Sequence, residues 1–449
     1  MDFLDSIALP QSHEHLVLLK YLLILTFTLF VPYLVVLIGT SLFSVFLKRK
    51  SIKESNSKYF KIVRDLVNIA AMNKSVVFAL GIIPLISAIF CYVQLLQNSS
   101  SSVVVLLILS LITFILGIIL FFAYKNSINL KTIFDQLDRN KIDFEENDTK
   151  ETFENYRNEA SAKFDKTDIW SLIFFLLTAL FFVGAVENAA NAEKWGSDYS
   201  ILSTIFSLRT LSYFFYMIVL ALSVTSITAL FYYYKIRTEE KVDADYLKFV
   251  REFALSKGLI FTIILPLFVL LRILLTPQNA LAYNIFMITL VLLISILFIA
   301  TFLYIMMKDS KANYVTILTV LTVILFVSSN AKDQAAFSTT SKEHLAKIEA
   351  DFVKYEEDFK ANLGLATVSI NGEDIYNGRC IACHQYDRVL VGPAYKNVLP
   401  KYENNKEGLI QYILNPVKVD PQFPAMPSQG LKPNEAKAVV EYMLETYNQ

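Results

Sequence analysis

The chain predicts an all-α fold, a polytopic eight-helix transmembrane bundle with a small globular domain after it, and three observations carry that prediction. Apolar residues make up 55% of its 449 positions, above the roughly 45–50% of ordinary soluble domains, and mean hydropathy is positive. Eight apolar runs reach the roughly twenty residues a helix needs to cross a bilayer: 16–46, 75–97, 102–124, 169–190, 210–234, 256–276, 282–307 and 312–330. At residue 331 the composition turns sharply polar and charged. The chain therefore divides into a transmembrane domain over 1–330, an amphipathic helical linker over 331–370 and a C-terminal domain over 371–449.

The first run is longer than one crossing requires and contains Pro32, which predicts a kink, a tilt or an extension beyond the hydrocarbon. Pro84 and Pro266 lie inside the second and sixth runs, where neighbouring helices can satisfy the carbonyls they free. Basic residues set the orientation, because Lys and Arg stay on the cytoplasmic side. Lys48, Arg49, Lys50, Lys53, Lys58, Lys61 and Arg64 follow the first span; Lys125, Lys131, Arg139 and Lys141 the third; Lys235, Arg237, Lys241, Lys248 and Arg251 the fifth. The alternate connections are nearly bare, with Lys194 and Arg209 as the exceptions. An even number of spans then puts both termini outside a bacterial cytoplasmic membrane. Met1 to Asp5 shows neither a basic region nor a cleavage site, so the first span itself directs insertion.

Segment 125–168 mixes both charge signs with Phe134, Leu137, Phe144, Phe153 and Phe164; it reads as helical and partly surface-lying. In the linker, Thr340 and Glu343 form a capping-box pattern, and Leu345, Ile348, Phe352, Tyr355 and Phe359 recur at three- and four-residue steps. That stripe packs on the bundle, on the C-terminal domain or on a partner. His344 sits off it and reads as a solvated surface residue.

Ionisable groups are expensive in hydrocarbon, and Glu187, Arg272, Lys20, His13 and His15 all lie toward the outer side. Two readings stand: they line a polar pocket that takes a quinol head group, or they are interfacial, with Lys20 snorkelling and Glu187 pairing with Arg272. No histidine lies inside any span, so no facing pair holds a b haem; Met217 and Met287 are the alternative ligands. A formal net charge of zero gives no basis for a nucleic-acid partner.

The chemistry is sharpest at Cys380-Ile381-Ala382-Cys383-His384, the attachment motif for a covalent c-type haem. Two thiols about one helical turn apart add across the haem vinyl groups, and the adjacent histidine lies beneath the iron as axial ligand. A structural zinc site needs about four Cys or His ligands. The remaining cysteine, Cys91, lies in an apolar run, and only His344 is near in sequence. Haem attachment to this motif takes place outside the cytoplasmic membrane, which agrees with the orientation drawn from the basic residues.

From about Asn371 onward the chain resembles the class I cytochrome c family. Gly372-Glu373-Asp374-Ile375-Tyr376 opens a short helix before the motif, Val391-Gly392-Pro393-Ala394 is similar to the family loop, and a helix from Pro433 to Tyr447 is similar to the family's C-terminal helix. The resemblance implies one covalent haem c, with the Pro393 carbonyl orienting His384. It also implies a second axial ligand from a proline-rich loop, met here by Met426 in Phe423-Pro424-Ala425-Met426-Pro427. The competitor, Met443, sits among Val439, Val440 and Leu444 at helical spacing and reads as a core side chain. Two filled axial positions leave no open iron site, so the implied role is one-electron transfer on the periplasmic side, as a subunit of a respiratory redox complex. Membrane lipid, other redox subunits and periplasmic carriers are the expected partners.

A weaker resemblance covers only the first spans. Leu29-Phe30-Val31-Pro32, a basic loop, then Gly81 and Pro84 look like the start of cytochrome bd oxidase subunit I, with Phe27 and Thr28 where that family has a haem-ligating histidine. It implies the alternative function, a quinol oxidoreductase with a quinone site near the outer face. A transporter or sensor governed by haem redox state is the third class.

Overall fold

A computed structural model of the chain describes residues 11–54, 56–139, 147–195, 200–236, 243–309, 311–363 and 371–447. The reading of Met1 to Asp5, the residues Lys141, Phe144, Arg237 and Lys241, and the linker end at 364–370 lie outside them. The described residues form two compact units, Met1–Phe352 and Val353–Gln449.

Eight helices of the first unit are long and apolar enough to cross a membrane. They are α1 (His13–Glu54), α3 (Lys74–Leu95), α4 (Val103–Arg139), α5 (Asn147–Ala189), α6 (Leu208–Phe231), α7 (Ala244–Leu274), α8 (Tyr283–Lys308) and α9 (Val315–Thr340), with α2 (Ser57–Ala70) between the first two and α10 (Lys342–Asn362) after the last. α1 is the centre, packed against α2, α3, α5, α6 and α9. Its apolar residues face both protein and lipid, which is why it shows no sidedness in sequence. Association between membrane helices draws on close packing rather than on removal from water, and the packing is visible. A Cβ on Gly39 would stand 2.3 Å from the Ala221 carbonyl oxygen, so glycine is what lets α1 and α6 meet. Phe27 and Phe182 meet edge to face at 5.0 Å, and Phe30 meets Phe114 at 5.5 Å.

Pro32 is carried inside the unbroken α1. Pro84 follows a π turn, Phe78–Ile82, where the widened ring absorbs the hydrogen bond that proline cannot make. The charged segment after the third span is helical where it is described: α4 runs to Arg139 and α5 starts at Asn147, and Phe134 and Phe153 are in contact at 5.1 Å.

The last span outruns its apolar stretch. α9 ends at Thr340, where Ser341 breaks the path and α10 begins at once. The capping box does not form, since the Thr340 hydroxyl accepts from the Ala192 amide at 3.4 Å. Leu345 and Ile348 are buried, whereas Tyr355 and Phe359 are exposed. His344 is half-buried rather than fully solvated: its ring packs against Trp195 at 5.5 Å and its Nε2 is buried without a hydrogen-bond partner among the described residues.

The second unit is built from α11 (Gly372–Ile375), α12 (Tyr395–Val398), α13 (Lys406–Leu414) and α14 (Pro433–Tyr447). Asn371 caps α11 by accepting from the Glu373 amide at 3.0 Å, and Pro433 stands at the first helical position, where its missing N–H costs nothing. α11 lies so close on α14 that a Cβ on Gly372 would sit 2.2 Å from the Ala438 carbonyl oxygen. Tyr376, Cys380, Leu409, Val440 and Met443 are among the residues of the buried core between them.

Candidate functional site

Cys380, Cys383, His384, Pro393 and Met426 all line one cavity of the second unit. The local backbone explains how the first three arrive there. α11 widens into a π turn ending at Cys380, closed by the Ile381 amide on the Tyr376 carbonyl at 3.2 Å. The chain then tightens, with the amides of Cys383 and His384 both donating to the Cys380 carbonyl at 3.2 and 3.0 Å. This change of pitch brings both thiols and the imidazole to the same cavity.

The segment after the motif is laced back onto it. Gly392 N–H donates to the Cys383 carbonyl at 2.9 Å and Tyr395 N–H to the Gln385 carbonyl at 3.0 Å. The lacing delivers the Pro393 carbonyl to His384 Nδ1 at 3.0 Å. A carbonyl only accepts, so Nδ1 carries the hydrogen, which leaves the Nε2 lone pair for a metal. Glycine is required at 392, where a Cβ would stand 2.2 Å from His384 Cε1. The Tyr395 ring stacks on the imidazole at 5.0 Å and 15°, fixing its plane. Sequence reasoning overlooked both the steric duty of Gly392 and this stacking; a tyrosine two residues past Pro393 was the available signal.

The cavity suits a large apolar group held covalently. Leu399, Leu409 and Ile413 contribute to its walls, and both cysteines are free thiols. Burial pushes the Cys380 thiol above its ordinary range, with Arg379 pulling the other way. Met426 is half-buried at the cavity. Met443 also touches it but is 2% exposed within the core formed with Val439, Val440 and Leu444, as its helical spacing implied. Among the described residues no cluster of three or more His, Cys, Asp or Glu is placed to hold a metal ion.

The ionisable residues of the bundle are arranged differently. Where α5 and α7 end and α6 begins, Glu187 accepts from Arg209 at 2.6 Å and faces Arg272 at 3.5 Å. Arg272 also pairs with Asp333 at 2.8 Å, and Lys332 with Asp333 at 3.2 Å. The Tyr213 hydroxyl donates to Asp333 at 2.7 Å, and the Arg272 guanidinium lies 3.3 Å over the Tyr213 ring. The predicted Glu187–Arg272 pair is thus part of a larger network whose members Arg209, Lys332, Asp333 and Tyr213 the sequence reading had not joined to it. His13 is elsewhere, paired with Glu349 at 3.1 Å. The opening among these charges measures about 20 Å³, about the room of one water.

Residues 369–446 match the cytochrome c family model. The chain is 34% identical over 79 residues to cytochrome c-551 of Pseudomonas denitrificans, covering 16% of this chain and 94% of that protein. It is also 34% identical over 70 residues to cytochrome c-552 of Nitrosomonas europaea, covering 14% of this chain and 67% of that protein. No solved structure matches the chain. None of these matches reaches the first spans, and the likeness to cytochrome bd oxidase subunit I gains no support from them.

Proposed function

Because the C-terminal domain belongs to the cytochrome c family, we propose that this chain is a membrane-anchored carrier of single electrons, working on the periplasmic side as a subunit of a respiratory redox complex. A haem c held there supplies a reversible one-electron ferric/ferrous couple. In this reading Cys380 and Cys383 hold it by thioether bonds, His384 and Met426 are the axial ligands, and Pro393 keeps the imidazole in the tautomer that a metal needs. The observation that carries the reading is the meeting of both thiols, the correctly protonated His384 and Met426 at one apolar-walled cavity. Basic residues on the loops after the first, third and fifth spans support the outer placement of the domain. Tethering raises its effective concentration for membrane partners.

The test is expression of the full chain in a host that matures c-type cytochromes. A peroxidase-active band should survive denaturing electrophoresis, and Cys380→Ala together with Cys383→Ala should abolish it. Absence of the band from the unaltered chain rejects the proposal. Met426→Ala should lower the haem potential and admit exogenous ligands; an unchanged low-spin spectrum rejects that ligand assignment.

One observation bears on a quinol donor at a site other than the outer-face pocket read from the sequence. A groove of about 220 Å³ runs between α1, α6 and α9, lined by Thr28, Pro32, Val224, Thr322 and Phe326 among others. Thr319, Thr322 and Thr228 turn their hydroxyls to carbonyls of their own helices, which leaves apolar surface fit for an isoprenoid tail. Thr28 accepts from Asn330 at 3.3 Å and offers a polar end. Reduction of the haem by a short-tailed quinol, lost in Val224→Trp, supports this donor; equal rates in both proteins remove it.

A further inference from the structure

Met426 lies on the long connection between α13 and α14, a stretch without regular secondary structure. Pro416, Pro421, Pro424 and Pro427 interrupt it, and a proline supplies no amide hydrogen. The hydrogen bonds of this stretch are short-range: Phe423 N–H to the Asp420 carbonyl at 3.3 Å, Gln422 N–H to Asp420 Oδ1 at 2.9 Å, and the Gln429 side-chain amide to the Pro427 carbonyl at 2.9 Å. They shape the connection locally and do not hold it against the rest of the domain.

Arg379 reaches across. Its guanidinium Nη1 donates to the main-chain carbonyl of Gln429, three residues beyond Met426, and Arg379 itself immediately precedes Cys380. Gly430 follows the accepting carbonyl with φ of +61°, a left-handed conformation natural to glycine, and its Cα side lies open toward Arg379 Nη1. Both ends of the contact therefore border the cavity: Arg379 and Gln429 line it together with Met426.

We propose that Arg379 is a positioning residue that straps the methionine loop to the haem-attachment segment and so keeps Met426 at the iron. This rests on the reading of Met426 as axial ligand. The strap joins the segment that fixes the macrocycle covalently to the loop that brings the sixth ligand, so loss of the strap frees the loop to swing out while haem attachment is untouched. Loss of this contact should change the ligand-exchange equilibrium roughly tenfold, which corresponds to about 1.4 kcal/mol.

The experiment uses the full haem-loaded chain in detergent, with imidazole as the competing ligand for the ferric form, followed by the Soret shift and by loss of the near-infrared methionine-to-iron band. Arg379→Ala should bind imidazole about tenfold more tightly than the unaltered protein, with the haem content and the thermal unfolding of the bundle unchanged. Arg379→Lys, which keeps a charged donor on a flexible stem, should recover most of the difference. If Arg379→Ala does not accumulate, Arg379→Gln, whose amide falls short of the Gln429 carbonyl, is read in its place. Equal imidazole affinity in the unaltered and truncated proteins overturns the strap. Absence of the methionine band from the unaltered protein instead overturns the Met426 assignment, so the two failures are distinguishable.

Discussion

The charged network of the bundle and the cavity of the C-terminal domain both gather polar groups in buried surroundings, yet they spend them in opposite ways. In the bundle, Glu187, Arg209, Arg272, Lys332 and Asp333 face one another, and the space left among them is about 20 Å³. In the C-terminal domain, the two thiols and the His384 imidazole have their geometry fixed from behind, by the Cys380 carbonyl, the Pro393 carbonyl and the Tyr395 ring, while their reactive atoms face the cavity. In the network the charges are paired with one another, with Arg272 Nε alone left buried without a hydrogen-bond partner among the described residues, and such pairing holds helices in place; a group that is oriented but unspent is set for a ligand.

Substitutions can break this contrast, and the largest effect belongs to the network. Arg272→Met leaves Asp333 buried with only Lys332 and Tyr213 against it, and removal of one member of a buried ion pair costs about 3–5 kcal/mol. Thermal unfolding of the bundle in detergent should show that loss, with haem attachment in the C-terminal domain unchanged. Loss of attachment with normal bundle stability would reverse the roles assigned to the two regions.

Gly392→Ala should come next. The new methyl group would overlap His384 Cε1, and overpacking of this kind costs about 1–3 kcal/mol. The ring must leave the Pro393 carbonyl, so the haem-bearing fraction, measured by mass spectrometry of the intact chain, should fall while the bundle unfolds as before. Tyr395→Leu keeps a buried apolar side chain but removes the ring stacked on His384, and should cost about 0.5–1.5 kcal/mol; denaturant titration followed at the haem band reads it.

The smallest effect is a pH dependence at the base of α10. Burial beside Trp195 holds the His344 imidazole below its ordinary value of 6.5, Lys347 adds to the shift, and a hydrogen bond with the Gln97 backbone opposes it. A folded-state value below the unfolded one means that the docked form resists the proton. Its stability is therefore full above pH 6.5 and declines as pH falls through the lowered value. Hydrogen exchange in α10 should accelerate below that pH, and His344→Gln should flatten the profile.

Much of this was readable in residues. The apolar runs located every span because hydrocarbon imposes a length and a composition on any helix that crosses it, and the haem motif was legible because thioether chemistry demands two cysteines and a histidine at one spacing. Boundaries were less legible. α9 continues ten residues past its apolar run because Lys332, Asp333 and Gln334 are buried against other helices, a compensation that hydropathy along one segment cannot register. His344 was misplaced for a similar reason: its surface is covered by Trp195, about 150 positions earlier.

The amino-acid order alone determined that eight helices are long and apolar enough to cross a membrane and that a globule bearing Cys380, Cys383 and His384 follows them, since those features depend on local composition and covalent spacing. Only the tertiary structure decided which nitrogen of His384 is free, that Arg209, Lys332 and Asp333 complete the Glu187–Arg272 pair, and that Arg379 reaches the methionine loop. Each of these is a contact between groups far apart in the chain or a hydrogen-bond direction, and neither exists until the backbone has brought the partners together.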